Sequence, residues 1–413
     1  MNRDPMNKSN APLLSGSALL SGAVLLSAPA LGAQVHVQPI VSVAAQTSSN
    51  VDLEQASERS QTEGYFADAA AVVGIATPRS ETTFRPRLLY REYPDDSRLN
   101  RLEAFLDFAT QYKSQRSRFS MFGRLDHRDQ VNAERSDARF NEVTPVLPTT
   151  PETGRITVGA TRDLLLLVPS YSYELSQRTD IGASATLQRI DYSPDDSNSH
   201  VDFDYYQGKG FVGWNLDQRT KLSVGGFASK YDAIDIDSQS TSYGVGVDLG
   251  KNWSPVLDST LSITYQRTDI ERTQPTLFED KANAWGANFG TAYSGQTSRV
   301  RFDIGRQITP SGGGGLYESD QVRLQYERDV TQRLEFTAAG RYLRNRALSR
   351  DTVGNDRDYS RAEAGLRYMA TRTFFIEASY EYTWQEYENA AASAADHSFA
   401  LRFGYRGLPR QRG

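Results

Sequence analysis

The residues best equipped for chemistry in this 413-residue chain are arginines and carboxylates, set at every second position of repeated ten-residue runs. The basic set is Arg85, Arg87, Arg91, Arg118, Arg124, Arg301, Arg323, Arg333, Arg341, Arg367 and Arg402. Beside it stand Asp68, Glu103, Asp107, Asp126, Asp303, Glu327, Glu335, Glu363, Glu377 and Glu381. A guanidinium fork grips a carboxylate or phosphate through two parallel bonds, and carboxylates accept hydrogen bonds from sugar hydroxyls. Such ladders suit hydrated, hydroxyl-rich or acidic solutes; equally, their members can solvate one another and brace a wall.

Enzyme chemistry has little to stand on. His36, His127, His200 and His397 are scattered, with no nucleophile motif and no second histidine at metal spacing. His127, near Asp126 and Asp129, is the single cluster of note. The run Gly312–Gly315 is followed by neither Lys-Ser/Thr nor a helix pattern, so it reads as a loop rather than a phosphate cradle. No catalytic, cofactor or metal residue is assigned.

The elements that position the charges are strands. From Thr373 to Gln385 the chain reads TFFIEASYEYTWQ. Phe374, Ile376, Ala378, Tyr380, Tyr382 and Trp384 share one parity, and Glu377, Ser379, Glu381 and Thr383 the other. Period-two alternation places these sets on opposite faces of one strand. Phe399, Leu401, Phe403 and Tyr405 repeat the pattern against Arg402 and Arg406. Runs of about ten residues with aromatics near their ends are the pattern of a transmembrane barrel wall. An Arg or Lys on the lipid side at mid-membrane costs ~2–4 kcal/mol, so the charged parity must face a lumen.

Composition agrees. Hydrophobic content of 38% and mean hydropathy of −0.56 are too polar for a helical membrane protein, yet suit strands with one wet face. The 22 Tyr and 18 Phe can furnish interface girdles. A net charge of −5 does not point to nucleic acid, and zero cysteines exclude disulfides and a lipid-modified N-terminal cysteine. Arg3 and Lys8 ahead of an apolar stretch, Ala11 to Leu26, predict a signal peptide over 1–33, cleaved after Ala30 or Ala33. A barrel is expected over 34–406 and a short tail over 407–413.

The expected fold is all-β: a closed antiparallel barrel of about eighteen strands, with sixteen the alternative, wide enough for an aqueous channel. Tight connections, as at Lys113–Ser117, Ser176–Asp180 and Ala370–Arg372, alternate with long ones. The long set is Asp129–Arg162, Ser193–His200, Asp232–Ser242, Glu271–Lys281, Thr309–Ser319, Asn345–Asp358 and Tyr387–Asp396. In an outer-membrane barrel the short set is periplasmic and the long set extracellular. Asn252–Asp258 is longer than its fellow tight turns. Asp129–Arg162, with Pro145, Pro148 and Pro151, is the expected plug or lid. The apolar run Leu164–Val168 predicts burial on both faces. Lys209 shares parity with Phe203 and Tyr205, which predicts a bulge at Gly208 or Gly210. Tyr206 and Tyr231 are expected in the lumen as rings for sugars to stack on.

The opening of the chain reads VHVQPIVSV, then SSNVDL, then a strand ending GIATP with its return FRPRLLY. This order resembles the outer-membrane β-barrel porin family encoded beside exopolysaccharide and exosortase (PEP-CTERM) loci. Asn50-Val51 keeps the family's core, while Ser48-Ser49 replaces its usual Thr-Asp. The resemblance implies a large barrel in the outer membrane of a Gram-negative bacterium, with polysaccharide as cargo and a periplasmic polysaccharide-export protein as partner. It lends no binding residues. Two other readings share the pattern: a general or solute-selective diffusion porin, and a plugged structural or adhesive barrel presenting its loops.

Overall fold

A strand with one greasy face leaves both its edges in need of partners, and in lipid only a closed ring supplies them all. The computed structural model describes residues 33–53, 61–135, 138–139, 159–193, 200–272, 278–349, 356–388 and 392–412. The expected signal peptide falls almost wholly outside the described residues, as do Pro145, Pro148 and Pro151.

The chain forms β1 (Gln34–Ser48), β2 (Thr62–Ala76), β3 (Ser80–Glu92), β4 (Arg101–Lys113), β5 (Ser117–Asp129) and β6 (Thr161–Glu174). It continues through β7 (Thr179–Ser193), β8 (Phe203–Asn215), β9 (Thr220–Ala233), β10 (Ser238–Ser254), β11 (Leu257–Arg272) and β12 (Phe278–Ser294). The last are β13 (Ser298–Ser311), β14 (Gly315–Asp329), β15 (Leu334–Ala347), β16 (Arg357–Met369), β17 (Phe374–Tyr387) and β18 (Ala394–Arg406). Each pairs antiparallel with the next, and β1 pairs with β18 from Ile40↔Arg406 to Ser48↔Ser398. The fold is therefore a closed antiparallel barrel of eighteen long strands. The expected tail adds to it: β19 (Arg410–Arg412) continues the β18 edge and pairs with β1.

The outward face is apolar and exposed. Val41, Val43, Leu88, Val245, Ile263, Leu324, Leu366 and Leu401 form its middle. Tyr112, Tyr171, Tyr293, Tyr368 and Phe374 ring the short-turn end, and Tyr65, Tyr90, Tyr243, Tyr265 and Trp285 the other. On β7, β9 and β11, outward charges appear as i, i+2 pairs above this belt: Arg189–Asp191, Lys230–Asp232 and Arg267–Asp269. A belt of apolar side chains edged by aromatics is a lipid-facing surface.

Strand ends differ from expectation at three places, and the course of β8 at a fourth. β10 runs to Ser254 with a register shift at Asn252/Ser254, so the overlong turn is a bulge plus two residues. Strands overrun two of the expected long connections, leaving 234–237 between β9 and β10 and 312–314 between β13 and β14. The glycine run is thus a hairpin tip, with Gly314 at φ 89°. β8 needs no bulge: its register with β9 is unbroken, and Phe203, Tyr205 and Lys209 all face inward. Tyr206, expected in the lumen, faces outward instead and is 45% exposed.

A recurring device shapes the wall. At four register pairs an aromatic ring lies across a glycine on the adjoining strand: Phe108 on Gly123, Phe211 on Gly182, Phe227 on Gly244 and Phe375 on Gly404. A Cβ on Gly182 would sit 2.3 Å from Phe211 and 2.8 Å from the Tyr171 carbonyl oxygen, and that backbone cannot step aside cheaply. Gly250 has nothing within 4 Å. Gly182→Ala is therefore expected to destabilise the barrel by ~1–3 kcal/mol through overpacking. Gly250→Ala should not lower the midpoint, and chemical unfolding of the two variants in one detergent checks the difference.

Candidate functional site

The inward face carries the charges, and most of them meet a partner on a neighbouring strand. Arg87 binds Asp68 at 2.7 Å, Arg124 binds Asp107 at 2.7 Å, and Arg91 binds Glu103 at 3.0 Å. Arg299 holds Glu327 at 2.6 Å, and Arg323 lies 3.9 Å from Asp303. Arg367 bridges Glu377 at 2.7 Å and Glu335 at 3.5 Å. Lys209 reaches Asp248 at 2.8 Å, which explains why it tolerates its parity. Arg85, Arg301, Arg341 and Arg402 also sit on wall strands, and Arg118 lies exposed near the short-turn end of β5. Arg333 is the exception: it occupies the exposed turn between β14 and β15 and is no part of the strand wall.

Charge is not evenly spread. Arg323, Arg341 and Arg361 stand in direct register across β14, β15 and β16. Like charges opposite one another repel, and acids flank the row at both ends, with Asp303 on one side and Glu381, 2.7 Å from Arg361, on the other.

The expected lid begins inside the barrel. Directly after β5 the chain forms a five-residue helix, α1 (Gln130–Glu134). Asp129 starts it, its side chain accepting from Val131 N at 2.9 Å. Arg101 at 2.9 Å and Glu103, which accepts from Asp129 N and Asn132 Nδ2, tie this end to β4. The far end is met by β16. Arg357 donates to the Glu134 carbonyl at 3.1 Å and binds its carboxylate at 3.1 Å, and Arg361 donates to the Arg135 carbonyl at 3.1 Å. Carbonyls that a helix end leaves without partners are thereby satisfied from across the lumen. The segment is a chord joining β4 to β16.

Asp396 is the chord's deepest anchor and is fully buried. One oxygen accepts from Ser48 Oγ at 2.7 Å and from the Ser49 and Asn50 backbone N–H groups at 3.0 Å. The other accepts from Arg135 and, at 2.7 Å, from Ser398 Oγ. Arg135 also donates to the Val51 carbonyl at 2.9 Å. The Ser48–Val51 stretch thus turns inward and locks to both β18 and the chord. Further along, Arg139 binds Glu363. Between chord and wall lies a cavity of about 220 Å³, bounded by β1–β3, β16–β18 and Arg139.

A second element bends over the opposite side. The β13–β14 tip reaches past β10–β12, where Tyr231 Oη donates to the Ser311 carbonyl at 2.8 Å and Val201 N to that of Gly312 at 2.8 Å. Beneath it Leu164, Leu166, Ile190, Phe203, Tyr205, Tyr231 and Leu316 form an apolar cluster on the lumen side. The run Leu164–Val168 is therefore not buried on both faces: Leu164 and Leu166 are, whereas Leu165 is 40% exposed outward. Tyr231 lies in the lumen as expected, but packed and sealed from any solute.

Arg135, Arg139, Arg357 and Asp396 were not singled out from sequence. Asp396 looked like the end of a polar loop, and α1 is too short to show a helical period. Asp396→Ala leaves the buried Arg135 with Glu381, at 3.5 Å, as its one remaining carboxylate among the described residues. Its expected cost is ~3–5 kcal/mol, the range for orphaning one member of a buried pair. Asp191→Ala, removing a partner from an outward surface pair, should cost under about 1 kcal/mol. The temperature at which the folded band disappears in semi-native electrophoresis measures both.

No family model and no curated protein matches the chain. Among solved structures, OccK2 (OpdF) of Pseudomonas aeruginosa, crystallised with glucuronate, aligns over 91% of this chain and 98% of its own at 11% identity, with a TM-score of 0.44. OccAB3 of Acinetobacter baumannii covers 91% and 99% at 10% identity and a TM-score of 0.43. OpdQ of Pseudomonas aeruginosa covers 91% and 99% at 9% identity and a TM-score of 0.44. At TM-scores below 0.5 no residue, ligand or partner is carried over from them.

Proposed function

We propose that the chain is an outer-membrane channel for the diffusion of small hydrophilic solutes, with its short turns on the periplasmic side of a Gram-negative envelope. The observation that carries this reading is the inversion of the wall: a closed ring, apolar outward and lined inward by cross-strand ion pairs. A dry core would not hold so many ionised groups, since each must be taken from water. An eighteen-strand ring is also wide enough for an aqueous path.

Export of a polysaccharide, implied by the family resemblance, has less support. A polymer needs one continuous track, whereas the chord and the β13–β14 tip each cut across the lumen. The compartment beside the chord is of small-molecule size. The same crossings favour a second reading, a barrel held shut by its own loops, in which the chord is the bolt.

Planar-bilayer recording separates the two. The intact protein is expected to give small, discrete conductance steps. Arg135→Ala combined with Arg357→Ala should detach the chord and enlarge those steps at least about twofold. Silence from both proteins would contradict a channel; silence from the first and large steps from the second would identify the shut barrel.

A further inference from the structure

Among the described residues, one guanidinium of the cavity between chord and wall is left without an ion-pair partner. Five guanidiniums line the cavity, those of Arg87, Arg91, Arg139, Arg361 and Arg402, against the carboxylates of Asp68, Glu363, Glu377 and Glu381. Arg87 is taken by Asp68, Arg361 by Glu381 and Arg139 by Glu363, while Arg91 turns to Glu103 on β4. Glu377, the register partner of Arg402, is held by Arg367 at 2.7 Å. Arg402 itself makes no ion pair or hydrogen bond among the described residues. Ser42, Gln46 and Ser379 line the same cavity, and their side chains likewise make no hydrogen bond among the described residues.

We propose that this cavity is a binding subsite for a small hydroxylated monocarboxylate, and the inference rests on the channel reading above. The Arg402 fork receives the carboxylate through two parallel N–H bonds, a geometry that suits a planar anion. The amide and hydroxyls of Gln46, Ser42 and Ser379 serve the solute's hydroxyls. A second negative charge is disfavoured by the four wall carboxylates, which face the same space. Size sets the other limit. A cavity of about 220 Å³ has room for a six-carbon acid. Arg139 belongs to the chord, so an anion seated here also touches the element that crosses the lumen.

Equilibrium dialysis of labelled gluconate against the full folded chain in detergent at low salt tests this, with the neutral polyol glucitol as competitor. Saturable gluconate binding that excess glucitol does not displace is expected. Arg402→Gln should weaken it at least about tenfold, the effect of losing a charged hydrogen-bonding partner. Arg402→Lys, which keeps the charge but not the fork, should fall between. If Arg402→Gln loses its folded electrophoretic band, Arg402→Lys alone is read, and affinity equal to the parent overturns the proposal. So does unchanged affinity in Arg402→Gln, equal competition by glucitol, or tighter binding of orthophosphate than of gluconate. Absence of gluconate binding in a protein that conducts removes the subsite and leaves the channel standing. Binding without conductance keeps the subsite and removes the channel.

Discussion

The constraint on which this structure depends is that a peptide group in hydrocarbon has no water to bond to. Strands can satisfy it only by closing on themselves, and the β1–β18 seam is where the chain does so. Closure dictates two surfaces. One is in contact with lipid and is built from Val, Leu, Ile and ringed aromatics; the other is enclosed and can hold charge. The glycine–aromatic pairs belong to the same constraint, because a ring that lies across the adjoining strand of a tightly paired wall needs a residue there without a side chain.

Inside, the governing condition is near-neutrality. The wall arginines and acids are arranged so that most guanidiniums have a carboxylate one strand away, which ties neighbouring strands together. The chord obeys the same logic. It is attached at one end by a carboxylate cap and at the other by arginines that serve both its carbonyls and its own glutamate. Asp396 joins three separate stretches of chain at a single buried carboxylate. Such a hub is a point of specificity: no apolar residue could gather Ser48, Asn50 and Arg135 at once.

Much of the barrel was legible in the sequence because lipid on one side and water on the other write a period of two into strand after strand, each about ten residues long with aromatics near its ends. β17 and β18 read correctly residue by residue. The alternation is ambiguous where both faces of a strand carry rings. In β8 the inward Phe203 and Tyr205 are covered by the β13–β14 tip, so a buried apolar face mimicked a lipid face and Tyr206 was assigned to the wrong side. Connection lengths were overestimated at 234–237 and 312–314 because polar residues there extend strands beyond the membrane instead of forming loops. The sequence marks Asp129–Arg162 as a long connection, the expected plug or lid, but not the helix that begins it or the anchors of that helix. The chord's partners on β16 and β18 lie more than two hundred residues away, and pairings at that distance leave no trace in a single sequence.

The alternation itself can be tested directly because the chain has no cysteine of its own. Single cysteines placed in turn at Ile376, Glu377, Ala378, Ser379, Tyr380 and Glu381 of β17, in protein reconstituted into liposomes, can be challenged with a membrane-impermeant maleimide. Labelling at positions 377, 379 and 381 with protection at 376, 378 and 380 is the result this account predicts. Uniform labelling along the strand, or protection at the three odd positions with labelling at the even ones, would contradict it.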